Sequence, residues 1–136
     1  MMTILKNAET LKNAETVIRA MVSEYFAGLH QGDVARLAAL FHPECVLKTP
    51  GLWRSCDKWL ADVSSRPVPH QTGHPWNYQI IWLELEGDQA MVKVNCPLPH
   101  GHFIDYLGLL HENGVWKIVS KMYAVKAGVE NANSKN

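Results

Sequence analysis

His102-Phe103-Ile104-Asp105-Tyr106-Leu107-Gly108-Leu109-Leu110 reads as a β-strand with apolar residues on both faces. Counting by two places Asp105 beside Phe103, Leu107 and Leu109, so the strand's only acid shares an apolar face. A buried carboxyl group must be paired, hydrogen-bonded or protonated, because desolvating its charge is expensive. In a cleft such a group is a functional candidate; in a closed core it needs a partner. Asp105 is therefore the leading candidate for a site.

The same period of two surrounds this run. Strands are expected at about Trp76–Glu86, Gln89–Cys96, His102–His111 and Val115–Val125. Gly87-Asp88 and Asn113-Gly114 separate the flanking pairs, and Asn-Gly is a strong hairpin signal. Cys96-Pro97-Leu98-Pro99 is expected to break the sheet between the hairpins. The preceding half is helical. Asn13 is a suitable N-cap with Glu15 in the first turn. Val17, Ile18, Met21, Val22, Tyr25, Phe26 and Leu29 then recur at three- and four-residue spacing. Gly32 closes that helix, and Asp33 opens a second one carrying Val34, Leu37, Ala38 and Phe41 as far as Pro43. Cys45–Thr49 reads as a short strand, and a third helix is expected from a Ser55 cap through Trp59, Leu60 and Val63 to Pro67. Ser64–Pro75, with three prolines and two histidines in twelve residues, is a long loop. Three helices followed by a strand meander give an α+β fold.

Composition limits the function. With 136 residues the chain is one domain, and 47% hydrophobic against 19% charged residues is ordinary for a globular protein. Thirteen basic residues balance thirteen acidic ones without a run of either sign, which disfavours nucleic acid as a partner. No apolar stretch approaches the roughly 18–20 residues that cross a bilayer, and the N-terminus lacks the apolar core of a signal peptide. Three cysteines without CxxC spacing read as reduced thiols in a cytoplasmic protein. Leu5–Thr10 is repeated unchanged as Leu11–Thr16. A six-residue step turns a helix by about 240°, so the copies cannot face one surface. Residues 1–16 are read as a loose extension, 17–126 as the domain and 127–136 as a frayed polar tail.

Tyr25-Phe26-Ala27-Gly28-Leu29-His30-Gln31-Gly32-Asp33, then Phe41-His42-Pro43, resembles the front of the nuclear transport factor two-like (SnoaL-like) superfamily. Gly87-Asp88-Gln89-Ala90 and Phe103-Ile104-Asp105-Tyr106-Leu107 are similar to strands of its putative lumazine-binding branch, and Asn113–Lys121 to that branch's last hairpin. The resemblance spans roughly Val17 to Val125. It implies a cone-shaped, mostly antiparallel curved sheet wrapped around the N-terminal helices, and a homodimer through the outer sheet face.

The steroid isomerases of that superfamily offer a template. A tyrosine on the first helix and a protonated aspartate in the sheet stabilise an enolate, while a second aspartate moves the proton. Tyr25 falls where that tyrosine would sit. The second aspartate should precede the proline after the first strand, and Thr49 stands there before Pro50. A threonine hydroxyl is no base near neutral pH, so the role would pass to Asp105 or His42. The expected site is a solvent-accessible pocket around Asp105, Tyr25, Trp53 and Trp82, lined by Phe103 and Leu107, with Trp116 in the core. Trp59 and Trp76 share the aromatic-rich segment, where cone-mouth stacking competes with ordinary packing. His100 with His102, and His70 with His74, are weak metal pairs lacking a nearby carboxylate. No phosphate loop is present, and neither cofactor nor metal is expected. Three functions remain open: binding of a small hydrophobic or heteroaromatic molecule, acid–base catalysis as isomerase, cyclase or dehydratase, and protein interaction as a dimer.

Overall fold

The computed structural model describes residues 2–126 and 136. Helix α1 spans Met2–Gln31, α2 Val34–Ala38 and α3 Cys56–Ser64. Strands β1 (Phe41–Thr49), β2 (Leu52–Ser55), β3 (Gln79–Glu86), β4 (Gln89–Leu98), β5 (Gly101–Glu112) and β6 (Val115–Val125) form one sheet in the order β2-β1-β6-β5-β4-β3. Every pairing is antiparallel except β1 with β6. The sheet is curved and open, and α1 lies against its concave face through Ile18, Val22, Tyr25, Phe26 and Leu29, all buried. This is the expected α+β cone.

Local chemistry places the boundaries. Gly32, at φ 62°, ends α1 in a Schellman closure: its N–H donates to the Leu29 carbonyl and that of Asp33 to the Gly28 carbonyl. Asp33 then caps α2 by accepting from the Arg36 amide, and Ser55 caps α3 by accepting from the Lys58 amide. Asn113 and Gly114, at φ 53° and 77°, make the tight turn between β5 and β6.

Four expectations need correction. Helix α1 begins at Met2 rather than at a cap on Asn13, so both Leu-Lys-Asn-Ala-Glu-Thr copies are helical. Leu, Lys, Ala and Glu are good helix formers, and they carry the helix outward. Helix α2 ends at Ala38, and Phe41 opens β1, whose partner there is Ile118 on β6. Leu52–Ser55, for which only a helix cap at Ser55 was expected, is a strand paired back on β1 around Pro50-Gly51. Pro97 does not break the sheet: β4 pairs with β5 as far as Leu98–Gly101. Its missing N–H is harmless because β3 starts opposite Asn95, leaving that side of β4 an edge.

The 127–135 part of the expected tail lies outside the described residues. Asn136 is described, and it is buried rather than frayed. The 65–78 loop packs on the end of α1, where the His70 amide donates to the His30 carbonyl and the Tyr78 hydroxyl lies 2.9 Å from His30 Nδ1.

Candidate functional site

Inside the cone, Asp105 and Tyr25 meet. The Tyr25 hydroxyl donates to Asp105 Oδ2 at 2.6 Å, joining α1 to β5 across the core. Asp105 is wholly excluded from solvent, so in place of the expected open pocket there is a closed cluster of packed side chains. Packed rings and Asn136 close it. Lys121 on β6 is equally buried, with Nζ 3.7 Å from Asp105 Oδ2 and 4.3 Å from the centre of the Trp59 ring. Tyr25 and Tyr123 present their rings to the same ammonium at 5.5 and 6.0 Å. A carboxyl on one side and aromatic faces on the others form a cation site.

Arg54 completes the cluster. It is buried on β2, where it pairs with Asp62 at 3.0 Å and lies 3.3 Å from the Tyr123 hydroxyl. Between Arg54 and Asp105 sits Asn136. Its main-chain oxygen accepts from Arg54 Nη2 at 2.7 Å. Its Oδ1 accepts from Lys121 Nζ at 3.0 Å, and its Nδ2 donates to Asp105 Oδ1 at 2.5 Å.

Burial governs the protonation states. It pulls the Lys121 ammonium down to about 8, with the Asp105 carboxyl opposing. Burial, reinforced by Asp105 and the Cys96 thiol, pushes the Tyr25 phenol far above its ordinary value, which keeps it a hydrogen-bond donor. The Cys96 thiol is raised likewise by burial and by Asp105, and Cys45 is pushed up to about 12, so neither is a thiolate nucleophile.

Of the residues singled out in the sequence, Asp105, Tyr25, Phe103 and Leu107 are brought together; Phe103 and Leu107 flank Asp105 in the core. His42 is not. It is half-buried near the start of β1, level with Leu109 and about 13 Å along the strand from Asp105. Its Nδ1 accepts from the Glu44 amide. Thr49, at the isomerase base position, donates to the Tyr123 carbonyl. Trp53 and Trp82 face outward, 73% and 45% exposed. Trp53 neighbours Arg54 on β2, and Arg54 takes the inward position. At Trp82 an irregularity between Ile80 and Trp82 shifts the alternation, and Leu83 packs inward instead. Trp59 and Trp116 are core residues, whereas Trp76 is half exposed against His30 and Tyr78. His100 lies tilted against the Phe103 ring and His102 meets Asn95 Oδ1 at 2.6 Å, so that pair diverges. Among the described residues no group of three metal-ligating side chains assembles.

Lys121, Arg54 and Asn136 were missed as site residues. A two-residue Asn-Gly turn pairs Glu112 with Val115 and, continued without interruption, would set Asp105 opposite Met122 and turn Lys121 outward. The register shifts between Gly108 and Leu109, so Asp105 pairs with Tyr123, and Lys121 turns inward. No sequence signal marks that extra residue. Arg54 was legible only with β2 recognised, since Leu47, its partner, faces the core.

The profile of the family described as "Putative lumazine-binding" matches residues 13–124. No curated protein matches the sequence. Among solved structures, an NTF-2 like protein of unknown function from Silicibacter pomeroyi DSS-3 is 25% identical with a TM-score of 0.70, covering 85% of this chain and 98% of its own. An NTF2-like protein of unknown function from Shewanella baltica OS155 has a TM-score of 0.73 at 17% identity, over 85% of this chain and 96% of its own. One with a cystatin-like fold from Novosphingobium aromaticivorans reaches 0.69 at 16% identity, over 95% of this chain and 92% of its own. The likenesses under 25% identity bear on the fold alone, whereas the family profile spans most of the chain: this protein belongs to the putative lumazine-binding family of the NTF2-like superfamily.

Proposed function

We propose that the domain binds a small molecule at the buried polar cluster formed by Asp105, Tyr25, Lys121 and Arg54. One observation carries the reading: two oppositely charged side chains, Asp105 and Lys121, stand in the cone at zero exposure. Apolar side chains of similar volume would generally hold a core at least as well, so the polar centre has a use other than stability. The family description points to a heteroaromatic ligand, whose ring N–H groups Asp105 could accept and whose carbonyls Lys121 could meet.

The test is a thermal-shift panel of pterins, lumazines, flavins, steroids and aromatic polyketides, run on wild type and Asp105→Asn. A ligand that binds the native state raises its melting temperature by mass action. A shift present in wild type and absent in a folded Asp105→Asn supports the assignment. A shift of equal size in both proteins sinks it.

Acid–base catalysis is the second reading, favoured by the Lys121 ammonium lying near neutrality beside Asp105. It differs from isomerase chemistry, because Thr49 offers no base. Product formed from a compound that wild type binds separates it from simple binding.

The outer sheet face suits a homodimer. The cross-strand row Trp53, Lys48, Met122, Tyr106, Lys93 and Trp82 runs over all six strands. Part of it lines a groove of about 540 Å³ with Thr49 and Pro50. Exposed tryptophan and methionine in one row are the composition of a protein interface. The three free cysteines, all buried, fit a reducing cytoplasm.

A further inference from the structure

We infer that the cleft beside Arg66 binds one small anion, either free or as the carboxylate head of a larger molecule. This goes beyond the small-molecule reading above and uses none of its four residues. The ends of α1 and α3, the 65–78 loop and the β4–β5 turn meet around a cleft of about 20 Å³. A water needs roughly 10–15 Å³ of such space, so the cleft takes a small group and no ring. Its walls are largely apolar, with Leu29, Val63, Pro67, Pro69 and Leu98 among them. Arg66 brings the only fixed charge to this lining.

That charge is poorly answered by the protein. Arg66 is half-buried, and its Nη2 is fully buried with no hydrogen-bond partner among the described residues. Among the same residues no carboxylate stands within ion-pair distance of it. Asp62 on α3 is engaged by Arg54 at 3.0 Å and by Lys58 at 3.6 Å. Main-chain oxygens around the cleft have donors already. The Leu29 carbonyl accepts from the Gly32 amide, that of His30 from the His70 amide, and that of Val63 from the Arg66 amide. The last turns of α1 and α3 favour a cation here, but a dipole answers charge without filling a donor's hydrogen bond. Burial, with the Arg54 charge adding to it, pulls Arg66 below its ordinary value. An anion is the acceptor that meets both needs, since a charge-assisted bond to guanidinium is strong and neutralises it. One cation matches one negative charge, which favours a carboxylate or a halide over a phosphate.

Calorimetric titration with sodium formate, in a chloride-free zwitterionic buffer, tests the site. Wild type should bind formate saturably, and Arg66→Gln about tenfold or more weakly. Equal binding by the two proteins, or none by wild type, overturns the inference. If Arg66→Gln does not fold, nitrogen-15 spectra of wild type decide. The side-chain Nε–H resonance of Arg66 should move as formate is added; a resonance that stays still through the titration overturns the inference.

Benzoate carries the same acid on a ring too large for the cleft, and it separates the two sources. Arg66-dependent binding about tenfold or more tighter than that of formate supports the site as the seat of a larger molecule's head. Formate and chloride binding as tightly as benzoate, again lost in Arg66→Gln, supports it as a site for a free anion.

Discussion

The two faces of the sheet invert the usual distribution of side chains. The inner face holds Asp105, Lys121 and Arg54, all buried, whereas the outer face carries Trp53, Trp82, Met91 and Met122 in the open. Charged residues are almost never fully buried unless paired, and large exposed apolar patches tend to mark contact surfaces. Each face therefore carries what folding alone does not require. The inner deviation is a set of paired charges, the outer one a row of exposed apolar side chains.

The inversion can be broken from the inside first. Lys121→Ala should cost about 3–5 kcal/mol in urea denaturation, because it strands a buried carboxylate. Asp105→Asn combined with Lys121→Met should recover most of that loss, since removing both charges also removes the desolvation cost. A double variant as unstable as the single one would make the pair structural, and the contrast between the faces would collapse.

The outer face is tested next. Trp53→Asp should weaken self-association at least tenfold in sedimentation equilibrium, about 1.4 kcal/mol or more for a buried interface tryptophan. Unchanged association would leave that face without a partner.

Proton linkage gives a smaller effect. The Lys121 ammonium titrates near 8 in the folded state, below its ordinary value. Between the two values the unfolded chain holds the extra proton, so Lys121 makes stability rise with pH. The raised cysteine thiols act in the opposite sense at higher pH, which confines the clean window to roughly pH 8–9. Wild type should gain up to about 1 kcal/mol over that interval relative to Lys121→Met. A flat difference would mean that Lys121 keeps an ordinary ammonium. The smallest effect is expected outside the cluster. Glu24→Gln removes the carboxylate that holds Arg36 at 2.6 Å on the surface, and the urea midpoint should not move measurably.

Much of this architecture was legible, and the gaps have physical causes. Helix periodicity, the Gly32-Asp33 junction, the Ser55 cap and the Asn113-Gly114 turn are local signals, and each lies where the chain pattern places it. Asp105 and Tyr25 were found because strand parity and an ordered set of motifs both point at the core. Strand β2 escaped notice because four residues hold too few alternations to distinguish a strand from a helix lead-in. Trp53 was then assigned to the wrong side. Lys121 depended on an extra residue in the β6 ladder, and Asn136 on a tertiary contact that no periodicity encodes.

The strand order has a consequence for the chain during synthesis. β6, the last strand in sequence, lies in the sheet between β1 and β5. Until residues 115–125 leave the ribosome, β1 and β5 each present a bare edge, and their inner side chains lack Ile118 and Tyr123 as neighbours. Unpaired edges of this kind are templates for aggregation, and pairing across such sequence distances is slow. The nascent domain thus stays vulnerable until nearly all of it has emerged. A chain stalled before Val115 should be held by chaperones, whereas one released after Val125 can close its sheet in a single step.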